Sequence, residues 1–340
     1  NPNIPNQDMG WEYDAAGNRV SAIANGVTET YTTNNLNQYT AVGGVEYRYD
    51  ADGNLVAKID GTDVWTYQYD VENRLVAVTG PEDTWTYEYD ALGNRAATTH
   101  DGFRTEFVVD PFGMGDVVAE YRGGAGPTYY AHGLGLAAQL SPGSAANYYS
   151  FDMLGSTSVV TAANGQVLDQ YSYDPFGNIL SKIEFAPNPF EFVGRLGVME
   201  AGHVGSAVSY DVNGLTFMRA RFYDPLAGRF ISQDPIMWAG LDVNLYRYAW
   251  DNPVLYVDPS GLQVDDQAES VAKELRRKLG AAADMGAAMH DARKLAKGEQ
   301  IKLNEKGYSP ADTATLGNRK AANIFVETGH ILDCGSSSCR

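Results

Sequence analysis

The sequence predicts a mainly β fold of stacked hairpins, forming part or all of a β shell and followed by a small, mostly helical C-terminal segment. Three observations carry this reading. A short phrase, Tyr-x-Tyr-Asp-x-x-Gly-Asn-Arg/Leu, returns at nearly constant spacing. The residues leading into it alternate large aromatic with polar. The 340-residue chain also holds 22 Tyr and 36 Gly, a composition suited to many short strands joined by turns.

The phrase reads Tyr13-Asp14 with Gly17-Asn18-Arg19, then Tyr49-Asp50 with Gly53-Asn54-Leu55. It returns at Tyr69-Asp70 with Asn73-Arg74-Leu75 and at Tyr89-Asp90 with Gly93-Asn94-Arg95. Tyr31, followed by Asn34, Leu36 and Asn37, is a degenerate copy, so the key tyrosines step by 18, 18, 20 and 20 residues. A fixed period in this range signals small units stacked side by side. Within a unit, the segment from Trp65 to Asp70 places Trp65, Tyr67 and Tyr69 on one face of a strand and polar residues on the other. The Asp that follows can accept backbone N–H bonds, while Gly and Asn tolerate the positive φ of a tight turn. Leu75 to Val78 then make the return strand, and the next turns fall at Asp60-Gly61, Gly80-Pro81 or Asp101-Gly102. The tyrosines are read as strand packing. Stacking platforms for sugars or nucleobases would need exposed faces, and the repeats carry no basic groove.

Degenerate copies continue at Val109 to Gly113 and Phe151 to Ser156, and a full one returns from Tyr171 to Asn178. Gly123 to Pro127 and Ser141-Pro142-Gly143 read as turns or loops. Pro187-Asn188-Pro189 and the following Phe190 to Gly194 read as an edge or crossing segment, since proline cannot donate into a central ladder.

The formal charge of −18 argues against nucleic acid or an anionic membrane as partner of the main body. It is unevenly spread. Residues 263–340 carry 12 Lys and Arg against 11 Asp and Glu, leaving 13 against 32 in residues 1–262. A composition break therefore lies near residue 262. No run of 18 apolar residues occurs, so no membrane-spanning helix is expected. The start at Asn1-Pro2, without Met or a signal peptide, suggests processing or excision from something longer. Cys334 and Cys339 are a disulfide candidate for an oxidising compartment. No cofactor-binding or metal-ligand constellation is visible.

Residues 214–262 are denser in signature. They include Gly214 to Pro225, Gly228 to Pro235, Asn244 to Ala249, Asp251-Asn252-Pro253 and Val257 to Leu262. Together with the Tyr-Asp phrases, this block closely resembles the Rhs/YD-repeat family with its Rhs repeat-associated core domain, over about residues 9–262. The resemblance implies three regions: a repeat array (1–186), the core domain (187–262) and a variable C-terminal passenger (263–340). It implies a hollow β shell enclosing a C-terminal polypeptide, usually a toxin; relatives include C components of insecticidal toxin complexes and the shell of animal teneurins.

Polymorphic-toxin members of that family cut themselves after an Asp-Pro-x-Gly-Leu motif. Here that motif is Asp258 to Leu262, so the implied scissile bond is Leu262–Gln263, where the charge break also falls. The implied catalytic pair is Asp234 and Asp258, with Arg229 nearby. Two adjoining carboxylates can share one proton and divide the acid and base roles. An arginine beside them can orient one carboxylate or stabilise developing negative charge. Residue type alone allows a plainer reading, because Asp-Pro also begins turns at Asp110, Asp174 and Asp224. The sequence departs from the family pattern in three places. Met237 stands at a glycine position, Asp258 lies two residues further from Asp234 than is usual, and Val243 replaces part of a glycine-rich lead to Asn244.

In the passenger, Val271, Leu275, Leu279, Ala282, Met285, Met289 and Leu295 recur at helical spacing, with Asp265 or Asp266 as cap and Gly298 as stop. His290, Asp291, His330 and the basic run Lys273 to Lys278 carry no assignable activity. The expected function is a bacterial, secreted or surface-borne shell segment whose partners are its own C-terminal segment and further shell chains or identical subunits. The alternative is a structural or adhesion protein whose hairpins assemble or bind carbohydrate without cleavage.

Overall fold

The computed structural model describes Ile4 and residues 7–266, apart from 111–114, 125, 203–213 and 241. The helical reading of the passenger beyond Asp266 and the Cys334–Cys339 pair lie outside the described residues.

From Met9–Tyr13 to Ile179–Ile183 the chain runs as eighteen antiparallel strands of one sheet. The Tyr-Asp phrase closes alternate connections. Asp14 accepts hydrogen bonds from the N–H groups of Ala16 and Asn18 at 2.9 and 2.8 Å and from the Asn18 amide at 3.0 Å. Asp50, Asp90 and Asp174 repeat the pattern with Asn54, Asn94 and Asn178. Gly17, Gly53, Gly93 and Gly177 supply the positive φ that these turns require, between 75° and 94°.

Every such hairpin carries a register shift at the residue before its turn. Tyr13 pairs with Arg19 but Glu12 with Ser21, and Tyr69 pairs with Leu75 but Gln68 with Ala77. The same one-residue excess recurs beside Thr33, Tyr49, Tyr89, Val109, His132, Phe151 and Tyr173. A bulge bends the strand and sharpens its twist. Repeated once per hairpin, it curls the sheet.

Alternation sorts the two faces as expected. Tyr47, Tyr67 and Tyr87 are buried, with Trp85 fully so, while Thr66, Gln68, Thr86 and Glu88 face outward. The concave face wraps the described residues of the segment between Asn188 and Asp266. That segment packs Phe217, Phe222 and Ile231 against tyrosines of the early strands, and Phe190 and Met199 against Phe107, Tyr130, Tyr149 and Tyr171 of the later ones. Its own centre is an aromatic knot of Phe192, Tyr223, Phe230 and Tyr248. Phe190 and Val193 are fully buried, so the Pro187–Gly194 stretch crosses the interior and is no sheet edge. Trp11 of the first strand meets Phe176 of the last turn edge-on at 5.0 Å, bringing the two ends of the sheet together.

One local expectation is corrected. Asp265 and Asp266, read as the cap of a helix, form a short strand paired with Tyr256–Val257. The ladder partner satisfies the backbone groups that the cap was expected to serve.

Candidate functional site

Asp234 and Asp258 both lie in the wrapped segment. Asp234 follows the strand Arg229–Phe230. Its N–H donates to the Leu245 carbonyl at 3.0 Å, and its Oδ1 accepts from the Ile236 N–H at 3.0 Å. Asp258 follows the strand Tyr256–Val257, and pairing of that strand with Asp265–Asp266 folds residues 258–264 into a tight loop. The loop returns Leu262 and Gln263 to the Asp258 carboxylate. Its Oδ1 accepts from Ser260 Oγ at 3.0 Å and from the N–H groups of Leu262 and Gln263, each at 3.1 Å. The Gln263 nitrogen belongs to the bond singled out from sequence.

Arg221 joins the two carboxylates. Its Nη2 lies 3.0 Å from Asp234 Oδ2 and 3.4 Å from Asp258 Oδ2. Nη1 donates to the Leu245 carbonyl at 2.8 Å and Nε to the Gly261 carbonyl, while the guanidinium sits 3.6 Å over the Phe230 ring. All three ionisable groups are buried, at 8% exposure for Asp234, 1% for Asp258 and 3% for Arg221. Burial raises the Asp234 pKa above the usual carboxylate range, with Arg221 opposing. Burial likewise lowers that of Arg221 against the pull of both aspartates; an arginine so perturbed remains charged at neutral pH.

Arg229 is placed elsewhere. It donates to the Asn37 carbonyl at 2.7 Å and to Asn18 Oδ1 at 3.0 Å, and lies 3.4 Å over Tyr39. It fastens the wrapped segment to two Tyr-Asp turns. Sequence reasoning passed over Arg221 because its partners lie 13 and 37 residues away, and no local spacing marks it. The available signal was its place inside the dense 214–262 block.

Two voids flank the pair. A cavity of about 20 Å³, room for one water, is lined by Arg221, Asp234, Met237, Asp258 and Leu262 among others. A cleft of about 830 Å³ lies between the Tyr-Asp turns and the wrapped segment, and Asp234, Met237 and Leu262 line it too. Asp234 Oδ2 and the Leu262 carbonyl oxygen face the same side of Gly240, 3.4 and 3.7 Å from where a Cβ would stand. Among the described residues no group of three His, Cys, Asp or Glu is arranged to hold a metal.

The family model described as RHS Repeat matches residues 49–84. The tRNA nuclease WapA of Bacillus subtilis is 30% identical over 263 residues, which is 74% of this chain and 11% of that protein. The double-stranded DNA deaminase toxin A of Burkholderia cenocepacia is 56% identical over 52 residues, 15% of this chain and 4% of that one. The chain thus spans about a tenth or less of the length of these relatives. Among solved structures, TcdB2-TccC3 aligns with a TM-score of 0.46 at 16% identity, over 75% of this chain and 17% of that one.

Proposed function

Because the chain is an Rhs/YD-repeat protein, we propose that residues 1–262 are a shell segment that presents a passenger, residues 263–340, and frees it by cutting its own Leu262–Gln263 bond. The repeat array (1–186) supplies the wall and residues 187–262 the wrapped core that carries the cleavage chemistry. The shell works outside the producing cell and joins with further shell chains.

The observation that carries this reading is the Asp258 Oδ1 to Gln263 N contact of 3.1 Å, made while Arg221 bridges Asp258 to Asp234. In the reaction, water in the small cavity gives a proton to Asp258 and bonds through oxygen to the Leu262 carbonyl carbon. Asp234, whose pKa burial raises, donates a proton to the carbonyl oxygen. On collapse the Leu262–Gln263 bond breaks, Asp258 passes its proton to the Gln263 nitrogen, and Asp234 recovers its own. Arg221 holds the carboxylates together and, through Gly261, holds the loop in place. Plain turn-forming aspartates would need neither the shared arginine nor the contact to Gln263.

Intact mass of the denatured protein tests this. Wild type should split after Leu262, while Asp234→Asn and Asp258→Asn should stay whole or cleave about 10²–10⁴-fold more slowly. One full-length mass in all three proteins would sink the cleavage reading and leave a structural or adhesion module with its tail attached.

A further inference from the structure

Asp234, Met237 and Leu262 are the three residues that line both the one-water cavity and the large cleft. They therefore form the wall between them among the described residues. Two of the three belong to the proposed reaction. The third is a flexible thioether side chain, 43% exposed, whose backbone N–H donates to the Asp234 carbonyl at 2.9 Å. Its φ of +53° lies in the left-handed region, where glycine would be at ease and a side chain is strained. A residue held there against its backbone preference suggests that the side chain has a use. Its position supplies one, because it stands where solvent from the cleft would reach the cavity beside the Leu262–Gln263 bond.

We propose that Met237 is a gate that limits water access to the Leu262–Gln263 bond and so slows self-cleavage. The proposal rests on the cleavage reading above. The reaction itself uses the two aspartates, water and the Arg221 bridge between the carboxylates. Met237 acts on how often water is exchanged through the wall, so its removal speeds the step without touching the acid or the base.

Three substitutions separate the side chain from the backbone. Met237→Ala opens the wall and keeps the strain, Met237→Gly opens it and relieves the strain, and Met237→Leu keeps the bulk. Followed by intact mass from the start of synthesis in a cell-free system, Ala and Gly should cleave about tenfold faster than wild type, with Leu unchanged. Fast cleavage in Gly alone, or equal rates in all four proteins, would overturn the gate while leaving the cleavage reading standing. The same substitutions placed on Asp234→Asn protein give a readout independent of cleavage. Deuterium uptake at the Leu262 and Gln263 amides should quicken in Ala and Gly and stay slow in Leu, with peptides around Tyr67 unchanged as the check on folding. If wild type never cleaves, the cleavage reading fails, and equal uptake in the Ala and Leu proteins would then remove the gate as well.

Discussion

Asp258 does two jobs with one oxygen. Like Asp14 or Asp90 in the repeats, it accepts the N–H four residues on and closes a turn. Unlike them, it also accepts from the fifth residue, Gln263, and faces a buried arginine. The sequence could show the Asp-Pro turn and the adjoining leucine, but the arginine is chosen by three-dimensional packing. Arg229 and Arg221 stand in the same block with similar neighbours, and only the fold sends one to Asn18 and the other to the aspartates. Gly261 carries a further constraint of this kind. Its φ is +67°, and a Cβ there would lie 2.4 Å from the Met218 carbonyl oxygen and 3.0 Å from the Arg221 nitrogen. Gly261→Ala should therefore cost at least about 1–2 kcal/mol from the left-handed backbone alone, with the collision adding to it. Because the Gly261 carbonyl is held by Arg221, the same change should displace Leu262 from the carboxylates. Thermal unfolding together with cleavage yield checks both effects; a variant as stable and as readily cut as wild type would contradict them.

At the scale of the hairpin, most of the architecture was legible. Alternation of Trp65, Tyr67 and Tyr69 sorted the faces correctly because one face is buried and a one-residue slip would invert it. The bulge beside each turn was not legible, since the excess residue (Val20 or Val76, for example) has an ordinary strand composition. Nor was the turn from His132 to Leu136, which lacks the Tyr-Asp pair yet carries the same bulge. Closely similar turns, with Arg74 in place of Asn at the Asp70 turn, also differ electrostatically. Burial raises the carboxyl pKa of Asp14, Asp70 and Asp90, but hydrogen bonds from the turn outweigh it and leave each below the usual value. At Asp174 burial wins over the same bonds and the pKa is raised. The signs are opposite. The first three contribute stability above the unfolded carboxyl pKa of about 3.9 and lose it as pH falls through their folded values. Asp174 contributes below that value and loses it as pH rises through its own. Carboxyl ¹³C shifts followed from pH 2 to 7 should show Asp174 titrating last. A single common midpoint for all four would mean that burial does not distinguish these turns.

Across the whole molecule, the sheet and the segment inside it are held as one object by contacts that no local pattern announces. Lys58 on the inner face of an early strand meets Asp224, 166 positions away, at 3.1 Å, with 4% and 0% of the side chains exposed. Asp224 also caps its own turn through the N–H groups of Leu226 and Ala227. Arg19 is likewise buried, stacked over Phe176 at 4.3 Å near the meeting of the first strand and the last turn, and it reaches the Leu226 carbonyl. Degenerate hairpins continue the sheet to eighteen strands, and the wrapped segment packs against its inner face through long-range contacts that repeat counting cannot see. If wall and filling are one cooperative unit, breaking a tie between them must weaken both. Lys58→Met removes the cation and strands a buried carboxylate, which should cost about 3–5 kcal/mol. Urea unfolding of an uncleavable Asp234→Asn background, followed by tryptophan fluorescence and by far-UV circular dichroism, should then shift to lower midpoint as one coincident transition. Two separated transitions would mean that the sheet stands without its filling, and that the ties from Lys58 and Arg19 dock a finished wall instead of completing it.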